Sequence, residues 1–209
     1  MTHTAPSPYA RALGDRVDEL HPHLRAYFQD VPEDHVGVGE GVFRRVGTPR
    51  RWLWPVLRML EKRGVVAACG EIDVPFRVEN RTVGGRAIGE RTFHLPRGDW
   101  TMHDAVALGR HGRVVDELGE PGVVAACFDA DVHGGGLRLI SRAVGLRAGR
   151  LRVRVPGILS PRVRLWERID DETGRQRVTL TIDAPVIGRV YEYDGDFTYR
   201  VVPRREADA

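Results

Sequence analysis

Hydrophobic positions along the chain follow two periods, and the change between them falls near Gly64. Before it, Ala10, Leu13, Val17, Leu20, Leu24, Tyr27 and Phe28 recur at three- and four-residue steps, the spacing of one helix face. A helix is expected over residues 7–30, kinked or divided at Pro22, which cannot donate to the helical ladder. A second is expected over 49–62, with Thr48 as cap, Pro49 in the first turn and Gly64 as the stop. Trp52, Val56, Met59 and Leu60 form its apolar stripe, and Pro55 lies late enough to bend it.

Beyond Gly64 the period becomes two. Ile72, Val74, Phe76 and Val78 alternate with Glu71, Asp73, Arg77 and Glu79, and Val83-Gly84-Gly85-Arg86 reads as a hairpin turn. Further strands are expected over 87–95, 100–108, 113–118, 123–133, 137–144, 151–155, 163–169, 177–184 and 189–202. Their links are short and carry turn residues, so the strands must run antiparallel, because parallel neighbours need long crossovers. About ten such strands twist, and closure is the usual escape from exposed edges. The expected fold is therefore mainly β (α+β). It is an antiparallel meander of about ten strands forming a closed or half β-barrel, a lipocalin-like cup, with two N-terminal helices as lid or plug. One domain should span 9–202, between flexible ends at 1–8 and 203–209.

Composition narrows the class further. The chain has 209 residues, 42% hydrophobic and 29% charged, with a net charge of +3, which suits a folded domain rather than a disordered chain. No run approaches the roughly 18 apolar residues of a membrane helix, and the first residues lack a secretory pattern. Cys69 and Cys127 are too few for a disulfide framework, so a cytoplasmic protein with reduced thiols is expected. The charge is uneven: residues 137–168 hold nine arginines and one acid, Glu167.

Four stretches carry a family resemblance. They are Arg91-Thr92-Phe93; Gly112-Arg113-Val114-Val115-Asp116-Glu117-Leu118-Gly119; Ile158-Leu159-Ser160-Pro161 followed by Glu167; and Ala184-Pro185-Val186-Ile187-Gly188-Arg189-Val190-Tyr191-Glu192-Tyr193-Asp194-Gly195. Together they resemble an uncharacterised bacterial family, DUF4166. Gly89 stands where that pattern has an aromatic residue. The resemblance implies no chemistry, but members often sit beside or fused to oxidoreductase-like domains, which implies an oxidoreductase partner.

Candidate chemistry is sparse. Tyr191, Tyr193, Phe197 and Tyr199 share one strand face, either as the wall of a pocket or as barrel core. Arg91, Phe93, Trp100 and Trp166 join Tyr191 and Tyr193 as candidate ligand contacts. Glu167 shares its face with Val163, Leu165 and Ile169, so it should be buried, either as an acid/base or in an ion pair with an arginine such as Arg91. His94 and His103 lie on consecutive strands, and with Asp104 they form a second acid/base candidate if the hairpin brings them together.

Several patterns point away from other chemistries. Cys127, Asp129, Asp131 and His133 alternate with apolar residues and read as solvated, so no metal is expected. Gly37-Val38-Gly39-Glu40-Gly41 lacks the strand–helix context of a phosphate loop and reads as a bent barrel strand or as close packing against a helix. The arginines at 150, 152 and 154, and at 162, 164 and 168, should face water. Nucleic acid is not expected, because no binding motif accompanies the charge, and no cofactor is implied.

Three functions follow. The first is a barrel that binds a small hydrophobic or anionic molecule. The second is a metal-free, nucleotide-free isomerase, cyclase or hydrolase using the buried acid. The third is a basic docking domain.

Overall fold

The computed structural model describes residues 6–148 and 151–204. Its strands, in chain order, are β1 (His35–Gly47), β2 (Gly70–Glu71), β3 (Val74–Val83), β4 (Arg86–Leu95), β5 (Gly98–Leu108) and β6 (Val114–Leu118). There follow β7 (Val124–His133), β8 (Gly136–Ala148), β9 (Leu151–Arg154), β10 (Arg162–Ile169), β11 (Gln176–Ala184) and β12 (Gly188–Pro203). Ten of them close into an antiparallel barrel: β1 and β3–β8 in sequence, then β10–β12 and back to β1. β2 is a short addition on β1, and β9 folds back on β8 outside the ring.

Closure depends on β1, which pairs with β12 on one side and β3 on the other. Its glycines are what allow it. A Cβ at Gly37 would overlap the Tyr199 ring and hydroxyl, one at Gly39 would meet Val78 and the Phe197 ring, and one at Gly41 would overlap the Asp196 carbonyl and Phe197 Cβ, so neighbouring strands press on bare backbone. The close packing expected of this glycine run is present, against strands rather than a helix. At the β3–β4 turn, Gly84 (φ 57°) and Gly85 (φ 72°) both adopt the left-handed conformation that a tight hairpin demands.

Helices cover both ends. Pro8–Leu13 (α1), a 3-10 turn at Gly14–Glu19 and Pro22–Tyr27 (α2) plug the end that holds the β3–β4, β7–β8 and β10–β11 turns. Pro22 divides the helix as expected, and Ser7 caps α1 by accepting from the Ala10 N–H at 3.1 Å. The plug is fastened by the His21 N–H to Gly135 O (2.9 Å), an Arg16–Asp131 ion pair and the Val31 N–H to Thr82 Oγ1 (2.9 Å). Tyr27 presses edge-on against Tyr199, with ring centroids 4.7 Å apart.

At the other end a 3-10 turn (Arg51–Leu53) leads into α3 (Trp54–Glu61), which forms the lid. The expected stripe is corrected here. Leu57 is buried and Leu53 and Leu60 pack on the core, whereas Trp52, Val56 and Met59 face out. Pro55 sits in the first turn of α3, where it is tolerated, so it starts the helix instead of bending it. The inward face then follows Leu53, Leu57 and Leu60, at i, i+4 and i+7.

The expected loose ends at 1–8 and 203–209 fall mostly outside the described residues, although Pro8 already begins α1 and Pro203 ends β12. Arg150 and the Arg152 side chain also lie outside the description. Arg154, Arg162 and Arg164 face out as expected, and Arg164 pairs with Asp183 at 2.8 Å. No described helix is long and apolar enough to cross a membrane.

Candidate functional site

Inside the barrel, beneath the α3 lid, is a cavity of about 430 Å³. This is within the roughly 300–1,000 Å³ typical of ligand sites. Its walls are apolar, with Phe93, Val114, Ala126, Phe128 and Leu139 among them, and Tyr9 and Phe28 of the plug close its floor. Three charged side chains also reach it: Arg91 from β4, Asp116 from β6 and Glu167 from β10. Each lies at an inward position of its strand's alternation, beside Phe93, Val114 and Leu165 respectively.

Arg91 forms an ion pair with Asp104, which is buried on β5. Burial opposes the Arg91 charge, but the phenols of Tyr27, Tyr193 and Tyr9 together with Asp116 more than compensate, and its pKa stands above the ordinary value. Glu167 is 4% exposed and accepts a hydrogen bond from the Gln176 amide. Burial pushes its carboxyl up to about 7, while Arg91 and the Gln176 bond pull the other way. Asp116 is pushed up to about 6, again chiefly by burial, and its Oδ1 is covered without any hydrogen-bond partner. An unsatisfied buried acceptor is costly, which makes Asp116 Oδ1 a natural partner for a donor placed in the cavity.

The sequence-derived candidates therefore divide. Glu167, Arg91, Phe93, Tyr191 and Tyr193 all line the cavity. The ion pair expected of Glu167 is not the one formed: Gln176 is its bonded partner, Asp104 holds Arg91, and Arg91 acts on Glu167 through its field.

Four candidates lie elsewhere, among them Phe197, which is buried in the core against Tyr27 and Phe76. Trp100 anchors the lid by donating from Nε1 to Glu61 O at 3.0 Å. Trp166 lies on the outer face, 37% exposed, beneath the Arg168 guanidinium at 4.3 Å. As the neighbour of inward Glu167 it can only point outward. Tyr199 packs against the plug instead of the cavity.

The histidine candidate is corrected. His94 pairs with Asp99 (2.9 Å) on the outer surface, and His103 sits opposite Glu90, four ladder positions or roughly 13 Å from His94. Asp104 is on the inner face with Arg91, so the three groups never meet.

Asp116 and Tyr9 were not among the candidates. For Asp116 a signal existed, since it alternates in step with Val114 and Leu118. For Tyr9 there was none, because a helical period does not say where the helix docks. On the outer wall, Asp129 is taken by Arg113 (2.8 Å) and Arg142, and Asp131 by Arg16 and Arg138.

Fold and site together define a closed antiparallel barrel that is plugged at one end and lidded at the other, with charged groups at the base of an apolar cavity. The chain belongs to the DUF4166 family, described as a domain of unknown function, whose profile matches residues 20–197. No curated protein and no solved structure matches the chain. Each of the four stretches that carry the family resemblance contributes to the cavity: Arg91; Asp116; Pro161 and Glu167; and Tyr191 with Tyr193.

Proposed function

We propose that the barrel binds one small amphipathic molecule, with its apolar body under the lid and its polar end against Arg91, Asp116 and Glu167. The observation that carries this reading is the cavity of about 430 Å³ whose few charged groups converge at one place. The charge balance selects the polar end. Three carboxyls (Asp104, Asp116, Glu167) surround one guanidinium, and Asp116 Oδ1 lacks a donor. A hydroxyl, amine or amide therefore suits the site better than a carboxylate or phosphate, which would meet net negative charge.

The test is titration with a neutral apolar fluorophore such as N-phenyl-1-naphthylamine, followed by competition with long-chain or polycyclic alcohols, amines and carboxylates. Saturable binding at one site, displaced by alcohols or amines in preference to carboxylates, is the expected result. No saturable binding refutes the reading.

Glu167 supports a second reading. A carboxyl at about 7 inside an apolar cavity is poised both to give and to take a proton near neutrality. On that reading the barrel is an enzyme moving a proton in the isomerisation, cyclisation or hydrolysis of its guest. Glu167→Gln separates the two: a carrier keeps its probe affinity and has no turnover to lose, whereas an enzyme binds its substrate and stops.

A further inference from the structure

The apolar residues that the fold leaves in water are concentrated at one end. Of the fourteen large hydrophobic side chains exposed among the described residues, ten lie at the lidded end. They comprise Trp52, Val56 and Met59 on the lid, Ile72 beyond β2, Leu146, Leu151 and Val153 on β8–β9, Ile158 and Leu159 before β10, and Val186 between β11 and β12. Antiparallel order puts these segments at one end, opposite the plug. Val56 and Leu146 also line the cavity, so this apolar surface is continuous with its entrance.

Several of these side chains are presented outright. Met59 is 71% exposed, Ile158 83%, and Val186 is fully exposed with φ at 67°, a conformation β-branched residues rarely take. A patch like this on a soluble surface marks an interaction site.

The surrounding charge identifies the partner. Residues 50–63 carry Arg50, Arg51, Arg58, Lys62 and Arg63 against a single acid, Glu61, which is ion-paired to Arg97. Residues 145–161 contain no acid, and Arg147 and Arg154 are the arginine side chains described there. The acids at this end are fewer: Asp183 and Glu192 are paired with arginines, Asp99 with His94, while Glu71, Asp73 and Glu120 remain. Exposed aromatic and aliphatic residues among arginines, around the entrance to an apolar cavity, match a bilayer interface with acidic headgroups.

We infer that the lidded end docks on anionic lipid membranes, with Trp52, Ile158 and Val186 entering the interface. The cavity then opens toward the bilayer. The choice of lipid gains force from the amphipathic-guest reading above, but docking is measured without any guest.

The experiment is co-flotation of the full chain with vesicles of phosphatidylcholine alone or mixed with phosphatidylglycerol. The chain should float with the mixed vesicles, and added salt should weaken the association. Replacing Arg58 and Arg154, both exposed, by alanine should weaken it about fivefold for each cation removed. Trp52→Ala with Ile158→Ser should abolish flotation while leaving N-phenyl-1-naphthylamine binding in free solution unchanged.

Failure to float, or flotation unaffected by the Trp52 and Ile158 substitutions, overturns the inference. So does binding to a soluble acidic polypeptide that matches the vesicles and ignores those substitutions, since that assigns the surface to a protein partner. Loss of fluorophore binding in the parent chain strikes the cavity reading alone.

Discussion

Gly89 on β4 lies directly opposite Asp104 on β5, and a Cβ on Gly89 would sit 2.7 Å from the Asp104 carboxylate. The missing side chain gives Asp104 the room to lean across the ladder and hold Arg91. An aromatic residue at 89 would fill that space. Here the position is given to a buried ion pair at the edge of the cavity.

Gly89→Ala should therefore destabilise by about 1–3 kcal/mol, the range for overpacking. Asp104→Ala should cost more, about 3–5 kcal/mol, because Arg91 is left buried with weaker compensation. The double variant discriminates. If the alanine acts only by displacing Asp104, then adding Gly89→Ala to Asp104→Ala costs nothing further, and urea denaturation shows a large coupling between the two changes. Additive losses would mean that Gly89 serves the backbone and not the carboxylate.

Glu167 sets a pH dependence whose sign follows from its environment. Its folded-state pKa is raised to about 7 from an ordinary 4.5, so between these values the folded chain holds more protons than the unfolded one. Its contribution is fully present below about pH 4.5 and is lost as pH climbs through 7, the loss amounting to about 3 kcal/mol at pH values well above both pKa values. Glu167→Gln removes the titration and can still accept from Gln176. Urea denaturation at about pH 4 should show parent and variant alike; at about pH 8 the variant should be the more stable. An equal difference at both pH values would mean that Glu167 is not neutralised by burial.

Much of this was legible in the chain, and the failures have physical reasons. The barrel strands after Gly64 are read correctly because each has one face in the core and one in water, so alternation survives; β9 alternates too, but it lies outside the ring and leaves Leu151 and Val153 in water. β1 is harder to read: its inward positions at 37, 39 and 41 are glycines, and the space beside them is filled by residues of β12 and, at Gly39, by Val78 of β3. Glu167 stood out as a lone acid among apolar neighbours, whereas Asp116 was masked by Glu117 beside it. Trp166 attracted attention through its size, although inward Glu167 and inward Trp166 are mutually exclusive on one strand. His94 and His103 could be placed only by knowing the hairpin register, which puts Phe93 opposite Trp100.

Ala126 faces Asp116 across the β6–β7 ladder, and both line the cavity. Ala126→Phe places a ring in empty space instead of packed core, so its stability should hold or rise by about 0.5–2 kcal/mol, as with other cavity-filling changes. The same ring occupies the guest's place next to Asp116. N-phenyl-1-naphthylamine affinity should fall at least tenfold, corresponding to about 1.4 kcal/mol. Unchanged affinity would move the binding site out of the barrel, and strong destabilisation would mean that the wall cannot admit the ring.

The lid gives the last prediction, which concerns rates. Glu61 at the end of α3 is tied down three ways: its carbonyl accepts from Trp100 Nε1 (3.0 Å), and its carboxylate holds Arg97 and accepts from the Ala68 N–H (2.7 Å). Closing the cavity over a guest should thus be limited by how often this end of the lid releases. Trp100→Phe keeps a ring against Phe93, whose centroid lies 5.3 Å from that of Trp100, but removes the donor to the lid. Losing one such bond lowers the opening cost by about 1 kcal/mol, which accelerates exchange about fivefold. Guest contacts inside the cavity are untouched, so stopped-flow fluorescence should show association and dissociation both faster by that factor at nearly constant affinity. If only dissociation accelerates, Trp100 contributes to holding the guest. If neither rate changes, the guest enters by a path that does not involve α3.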